Sequence, residues 1–86
     1  MSGTALIVDS VSTNRIICKA KLTAAFYRVF QAETGRAALE IVAQKKPDIV
    51  VLKDNLPDIT ATALCRKLKS SAISEWTPVV IFFRSE

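Results

Sequence analysis

Apolar residues in this chain fall into short unbroken runs separated by segments with helical spacing. Thr4-Ala5-Leu6-Ile7-Val8 stops at Asp9-Ser10, Ile49-Val50-Val51-Leu52 stops at Lys53-Asp54-Asn55, and Val79-Val80-Ile81-Phe82-Phe83 follows Trp76-Thr77-Pro78. Runs of this length, rich in β-branched side chains and closed by polar residues, read as strands buried on both faces. Phe26-Tyr27-Arg28-Val29-Phe30-Gln31-Ala32 alternates instead, with Tyr27, Val29 and Gln31 on one side, which suits an edge strand.

The segments between these runs have the spacing of amphipathic helices. Ser12 or Thr13 is placed to cap the first, which puts Ile17, Cys18, Leu22 and Ala25 on one inward face together with the stem of Lys21. Thr34 caps the second, with Ala38, Leu39 and Val42 inward, and Lys45-Lys46 suit its C-terminal dipole before Pro47. Asp58 or Thr60 starts the third, with Leu64, Cys65 and Leu68 inward and Arg66, Lys67 and Lys69 outward. Residues 70–75 read as a loop, and Trp76 and Pro78 are expected to pack at the lower edge of the sheet. The order is βαβαβαβ, which requires an α/β fold with a parallel sheet, right-handed crossovers and helices on both faces.

Composition narrows the picture. Eighty-six residues make one small domain, and half of them are apolar, so a folded core is expected with no disordered segment. No run is long enough to cross a bilayer and the first residues lack the pattern of a signal peptide, so a cytoplasmic location is expected. Cys18 and Cys65 read as small core residues kept as thiols in a reducing compartment. The net charge of +4 is spread over three helices with no helix-turn-helix pattern or stacking platform, which favours a solvated surface over a nucleic-acid contact.

In an open parallel sheet, ligands gather beyond the carboxyl ends of the strands. The residues delivered there are Asp9 from the first strand and Lys53 from the third. The chain has no histidine, and neither glycine lies in a phosphate-cradling loop, so metal-hydrolase, Walker and dinucleotide chemistries have no support.

Leu6-Ile7-Val8-Asp9-Ser10, Asn14-Arg15, Thr34-Gly35-Arg36-Ala37-Ala38-Leu39-Glu40, Pro47 through Leu56-Pro57, Leu64 through Lys69 and Pro78-Val79-Val80 follow one another in an order and spacing that resembles the receiver domain of bacterial two-component response regulators. The similarity extends over essentially the whole chain. The Thr-Asn-Arg and Lys-Leu-Thr-Ala-Ala pieces are further similar to receivers of tandem-receiver regulators with a diguanylate cyclase output. The resemblance implies a flavodoxin-like fold of five strands. It also implies an acidic pocket: two acidic residues after the first strand, a phosphoacceptor Asp ending the third, a Thr or Ser ending the fourth and a Lys ending the fifth. There Mg2+ neutralises charge while the Asp takes a phosphoryl group from a histidine kinase.

Matched position by position, Asp9 keeps the first acidic place, Ser10 stands at the second, Lys53 at the phosphoacceptor and Phe83 at the hydroxyl position. The chain ends before a fifth strand, so the resemblance implies that residues 1–86 are a receiver-like domain lacking the last helix, strand and helix. Lys53 removes the nucleophile and a metal ligand and sets an ammonium where Mg2+ would sit. An Asp9 and Lys53 ion pair is expected in its place, with Asp9 as the single metal-ligand candidate. The default expectation for Phe83 is core filling, with a pocket plug or a partner surface as its alternatives. Asp54 is the rescue candidate for phosphorylation, but one residue along a strand turns its side chain to the other face. Asp58 reads as a helix cap, Asp48 opens the strand at the wrong end, and Ala61, where the family usually has Gly, implies a different path for the loop after Pro57.

The expected function is therefore that of a non-phosphorylatable, receiver-like signalling module without cofactor or enzymatic activity. It would act through a protein partner, either as a homodimer or against a neighbouring receiver or output domain. Apolar sheet surface should then lie bare. Two alternatives stand beside it: a phosphorelay receiver modified on Asp54 or Asp9 in Mg2+-dependent fashion by a histidine kinase, and a basic nucleic-acid contact module.

Overall fold

In a computed structural model the described residues are 3–83. The apolar runs become strands β1 (Gly3–Val8), β2 (Tyr27–Ala32), β3 (Ile49–Lys53) and β4 (Val79–Phe82), and the periodic segments become helices α1 (Ser12–Ala24), α2 (Gly35–Lys45) and α3 (Ala61–Lys69). All pairings are parallel and the order is β2-β1-β3-β4, so β1 and β3 are central. Leu6 lies beside Val50 and Val8 beside Leu52, which brings the ends of both central strands to the same rim.

The core lies between one face of the sheet and the helices α2 and α3. Leu6, Val8, Val50 and Leu52 pack there with Ala38, Val42, Leu64 and Leu68, all of them buried. Alternation along each strand sends Ile7, Val51, Val80 and Phe82 to the opposite face, where α1 lies against β1 and β2.

This second face departs from the sequence expectation. α1 buries none of its residues, and Ile17 is 52% exposed. The reason is lateral: α1 rests on β1 and β2, so its inward residues Cys18 and Leu22 are only half-buried. Neither Ser12 nor Thr13 caps it. Val11 is the N-cap residue, without a side-chain cap, and its N–H donates to Asp9 Oδ1 (2.9 Å).

Elsewhere the helix starts follow the sequence. Thr34 Oγ1 accepts from Ala37 N–H and Thr60 Oγ1 from Ala63 N–H, at 3.0 and 3.1 Å. Asp58 is indeed a cap, but of α2, for its carboxylate accepts from the N–H groups of Gly35 and Arg36. Those two bonds hold its carboxyl below the ordinary value of 3.8. Phe26, expected inside the second strand, sits before it in a left-handed turn (φ 67°) and is exposed. Trp76 does not pack under the sheet; it is 87% exposed in a run of turns tied down by Ser74, whose hydroxyl donates to Leu68 O. Cys18 and Cys65 are free thiols, both half-buried. Burial pushes the Cys18 thiol above its ordinary value, with Lys21 opposing and Asp9 reinforcing the shift. Among the described residues no helix is long and apolar enough to cross a membrane.

Candidate functional site

β1 and β3 end side by side and hand their last side chains to a common rim. Asp9 follows β1 directly, and its N–H continues the ladder by donating to Ala32 O (3.0 Å). The side chain turns inward and is 6% exposed. One carboxylate oxygen, Oδ1, accepts from Val11 N–H (2.9 Å), from Asn55 Nδ2 (2.7 Å) and, at the limit of bonding, from Asn14 Nδ2 (3.5 Å). Arg15 closes the same turn by donating to Asp9 O (2.7 Å) and pairing with Glu33 at 3.8 Å.

Asn55 is the residue that the sequence reading missed. Besides donating to Asp9, it accepts from Ser10 N–H through its Oδ1 (3.1 Å), and its backbone carbonyl accepts from the Ser10 hydroxyl (2.9 Å). Three bonds therefore join the loop after β1 to the loop after β3. An amide can do this because it carries both a donor and an acceptor, whereas a carboxylate or an ammonium offers only one kind. The clue in the sequence was slight: an Asn two residues beyond a strand end, where polar residues are ordinary turn formers.

Lys53 is half-buried at the end of β3, opposite Phe82 of β4. The expected Asp9 and Lys53 ion pair does not form. Among the described residues the ion pairs are Arg15 with Glu33 and Arg36 with Glu40, and Lys53 has neither an ion pair nor a hydrogen bond. Asp9 Oδ1 already accepts from neutral N–H donors, and drawing an ammonium down beside it would strip that cation of water. Lys53 instead borders two hollows. One, of about 380 Å³, opens toward Ile17, Lys21 and Phe82. The other, of about 560 Å³, lies over the loops with Ser10, Asp54 and Asn55.

Asp54 leaves the strand on the side away from Asp9 and Lys53. Its Oδ1 accepts from Ala61 N–H (3.0 Å), which holds it at the start of α3. Ala61 itself is fully buried as the first residue of that helix. Asp48 lies at the far end of β3, where its carboxylate accepts from Thr4 N–H (2.7 Å). Phe83 fills no core: β4 ends one residue earlier, Phe83 is 60% exposed, and it is Phe82 that borders the hollow of about 380 Å³. Among the described residues no three His, Cys, Asp or Glu side chains converge as metal ligands.

Comparison with known proteins agrees with this architecture. The chain is 38% identical over 81 residues to the response regulator PleD of Caulobacter vibrioides, a match covering 94% of this chain and 18% of PleD. It is 32% identical over 69 residues to the sporulation initiation phosphotransferase F of Bacillus subtilis, covering 80% of this chain and 56% of that protein. Among solved structures, the signal receiver domain of a signal transduction histidine kinase from Syntrophus aciditrophicus superposes with a TM-score of 0.92 at 26% identity, covering 99% of this chain and 64% of that one. The chain thus spans about two thirds of that receiver structure and a small part of PleD. The family described as the response regulator receiver domain matches residues 5–85, and the chain belongs to that family.

Proposed function

We propose that this chain is a receiver module that works without phosphorylation, through contact with another protein. The observation that carries the reading is the state of the strand-end pocket, where Lys53 stands at the end of the central strand and the one inward carboxylate, Asp9, has its Oδ1 held by N–H donors.

The donor set does not suit Mg2+. That ion demands several oxygen ligands in octahedral array. Here Asp9 Oδ1 already accepts from Val11 and Asn55, the Ser10 hydroxyl donates to Asn55 O, and a cation stands beside them. The contacts between Ser10, Asp9 and Asn55 hold the two loops together by internal hydrogen bonds. A module fixed in this way presents one surface at all times and leaves regulation to its binding partner. That partner is a homodimer mate or a neighbouring receiver or output domain, with residues 1–86 as one receiver unit.

A phosphorelay reading would need Asp54 as acceptor. Its carboxylate is held at the start of α3, on the other side of the strand from Asp9. The deciding experiment is incubation with acetyl phosphate over a range of Mg2+ concentrations, read by intact mass, with Asp54→Asn and Asp9→Asn alongside. No added phosphoryl mass is expected. A modified species that disappears in Asp54→Asn would overturn the reading.

A further inference from the structure

The end of the sheet opposite the candidate site carries three exposed apolar side chains. Each helix runs back from the carboxyl ends of the strands, so the turns after α1, α2 and α3 gather at the amino ends. Phe26, in the first of these turns, is 72% exposed, and Ile73 and Trp76, in the third, are 53% and 87% exposed. Phe26 also holds a left-handed backbone (φ 67°), which glycine takes freely and a Cβ opposes. A bulky ring is thus set in water at a position where a glycine would make the turn more easily. Trp76 is presented as firmly. The Lys69 ammonium donates to the carbonyls on either side of it, Glu75 O (3.4 Å) and Thr77 O, and Ser74 Oγ ties the same turns to Leu68 O.

The same end is basic. Lys45 and Lys46 close α2 and Lys67 lies in the last turn of α3, all three exposed and none with an ion pair among the described residues. The acids in these turns are Asp48, whose carboxylate accepts from Thr4 N–H, and Glu75, so cations are in excess.

This arrangement selects among occupants. Phe26 precedes β2 and Trp76 precedes β4, the outer strands of the order β2-β1-β3-β4, so the roots of their turns lie about 14 Å apart, three strand spacings. A protein partner concentrates its anchors in one central, desolvated pocket. Apolar prongs standing apart among lysines suit a surface that yields wherever they touch it, which is the interface of a bilayer with anionic headgroups. Lying on such a surface needs no spanning helix. We propose that the amino end of the sheet docks on anionic lipid, with Phe26, Ile73 and Trp76 entering the headgroup region and Lys45, Lys46 and Lys67 meeting its phosphates. The candidate site at the other end then faces away from the bilayer.

The test mixes the 86-residue chain with phosphatidylcholine vesicles made with or without phosphatidylglycerol. Trp76 is the single tryptophan, so its emission reports this surface alone. The chain should sediment with the anionic vesicles and its emission should move to the blue, both effects fading as salt rises. Lys45→Gln with Lys46→Asn should weaken binding about thirtyfold, roughly fivefold per lysine near an anionic surface, and Asn suits the left-handed backbone of Lys46. Phe26→Gly should weaken it about fivefold. Its melting midpoint should hold or rise, because glycine accepts the turn, so that loss is not one of folding. Arg36→Gln, at the other end, should leave binding unchanged. Four results would overturn the proposal: no sedimentation, whether or not single-stranded DNA is bound instead; equal sedimentation with phosphatidylcholine alone; sedimentation without a change in emission; or full binding by Phe26→Gly.

Discussion

The two faces of the sheet carry apolar side chains of much the same kind but differ in what lies over them. On the α2 and α3 face, Leu6, Leu52, Leu64 and Leu68 are fully buried; on the α1 face, Val80 and Phe82 of the same sheet are largely open. Identical strand chemistry thus gives a core on one side and an available surface on the other. A strand's sequence specifies that a face is apolar, while the identity of its cover depends on which helices the chain brings there.

The contrast is broken most directly by truncating matched side chains on the two faces. Leu64→Ala should cost roughly 2–5 kcal/mol in urea unfolding, because the cavity it leaves is walled by packed neighbours. Phe82→Ala should change stability by about 0.5 kcal/mol or less, since much of the ring already meets water. Equal losses at the two sites would mean that the α1 face is covered in solution.

The next two effects test the seams of the closed side. Adding a methyl at Gly35 would drive its Cβ into Ile59 Cγ2, so Gly35→Ala forces the loop after β3 away from α2. A loss of about 1–3 kcal/mol is expected by the same unfolding measurement. Asn55→Ala leaves the buried Asp9 carboxylate without its 2.7 Å donor and should cost about 1–3 kcal/mol. Amide hydrogen exchange should then quicken in the loops after β1 and β3, while β2 is unaffected.

The smallest effect is one of pH. Asp58 has its carboxyl pushed below 3.8 by the N–H groups of Gly35 and Arg36. Its contribution is therefore complete above the unfolded value and is lost as pH falls through the lower native one. Asp58→Asn should lower the melting midpoint slightly near neutrality, and the difference from the parent should vanish in acid. A difference that persists in acid would mean that the charge on Asp58 is not what holds α2.

Much of the fold was legible because four apolar runs and three helical periods admit few arrangements once crossovers must be right-handed. The start of the third helix at Thr60 and the cap at Thr34 were legible for the same local reason. Bare apolar sheet surface was expected, but the exposure of Ile17 on α1 was not, since amphipathic spacing marks a face as apolar without saying whether a neighbour covers it. Asp58 shows a related blindness: an acidic residue just before a helix reads as its cap, yet it crosses the chain to α2. At the strand ends, Asp9 and Lys53 were placed correctly, but the pair between them gave way to Asn55. Hydrogen-bonding capacity across two loops leaves no periodic trace. Phe83 and Trp76 failed because large aromatic residues were assigned to the interior by type, and both lie in segments with little packed against them.

The tie between Asp9, Ser10 and Asn55 also bears on which substitutions this pocket can accept. Carboxylates placed at both Ser10 and Lys53 would meet a rim where Asn55 already donates to Asp9. Lys53→Asp made alone sets a second carboxylate at the rim beside Asp9, with Lys21 the remaining ammonium at that hollow, and Ser10→Asp made alone exchanges a hydroxyl donor for a charge against the Asn55 carbonyl. Each single change therefore sets a negative charge against a group that is already negative or already accepting. The loops after β1 and β3 are thus tied in a pattern that suits a rim with a single carboxylate at Asp9.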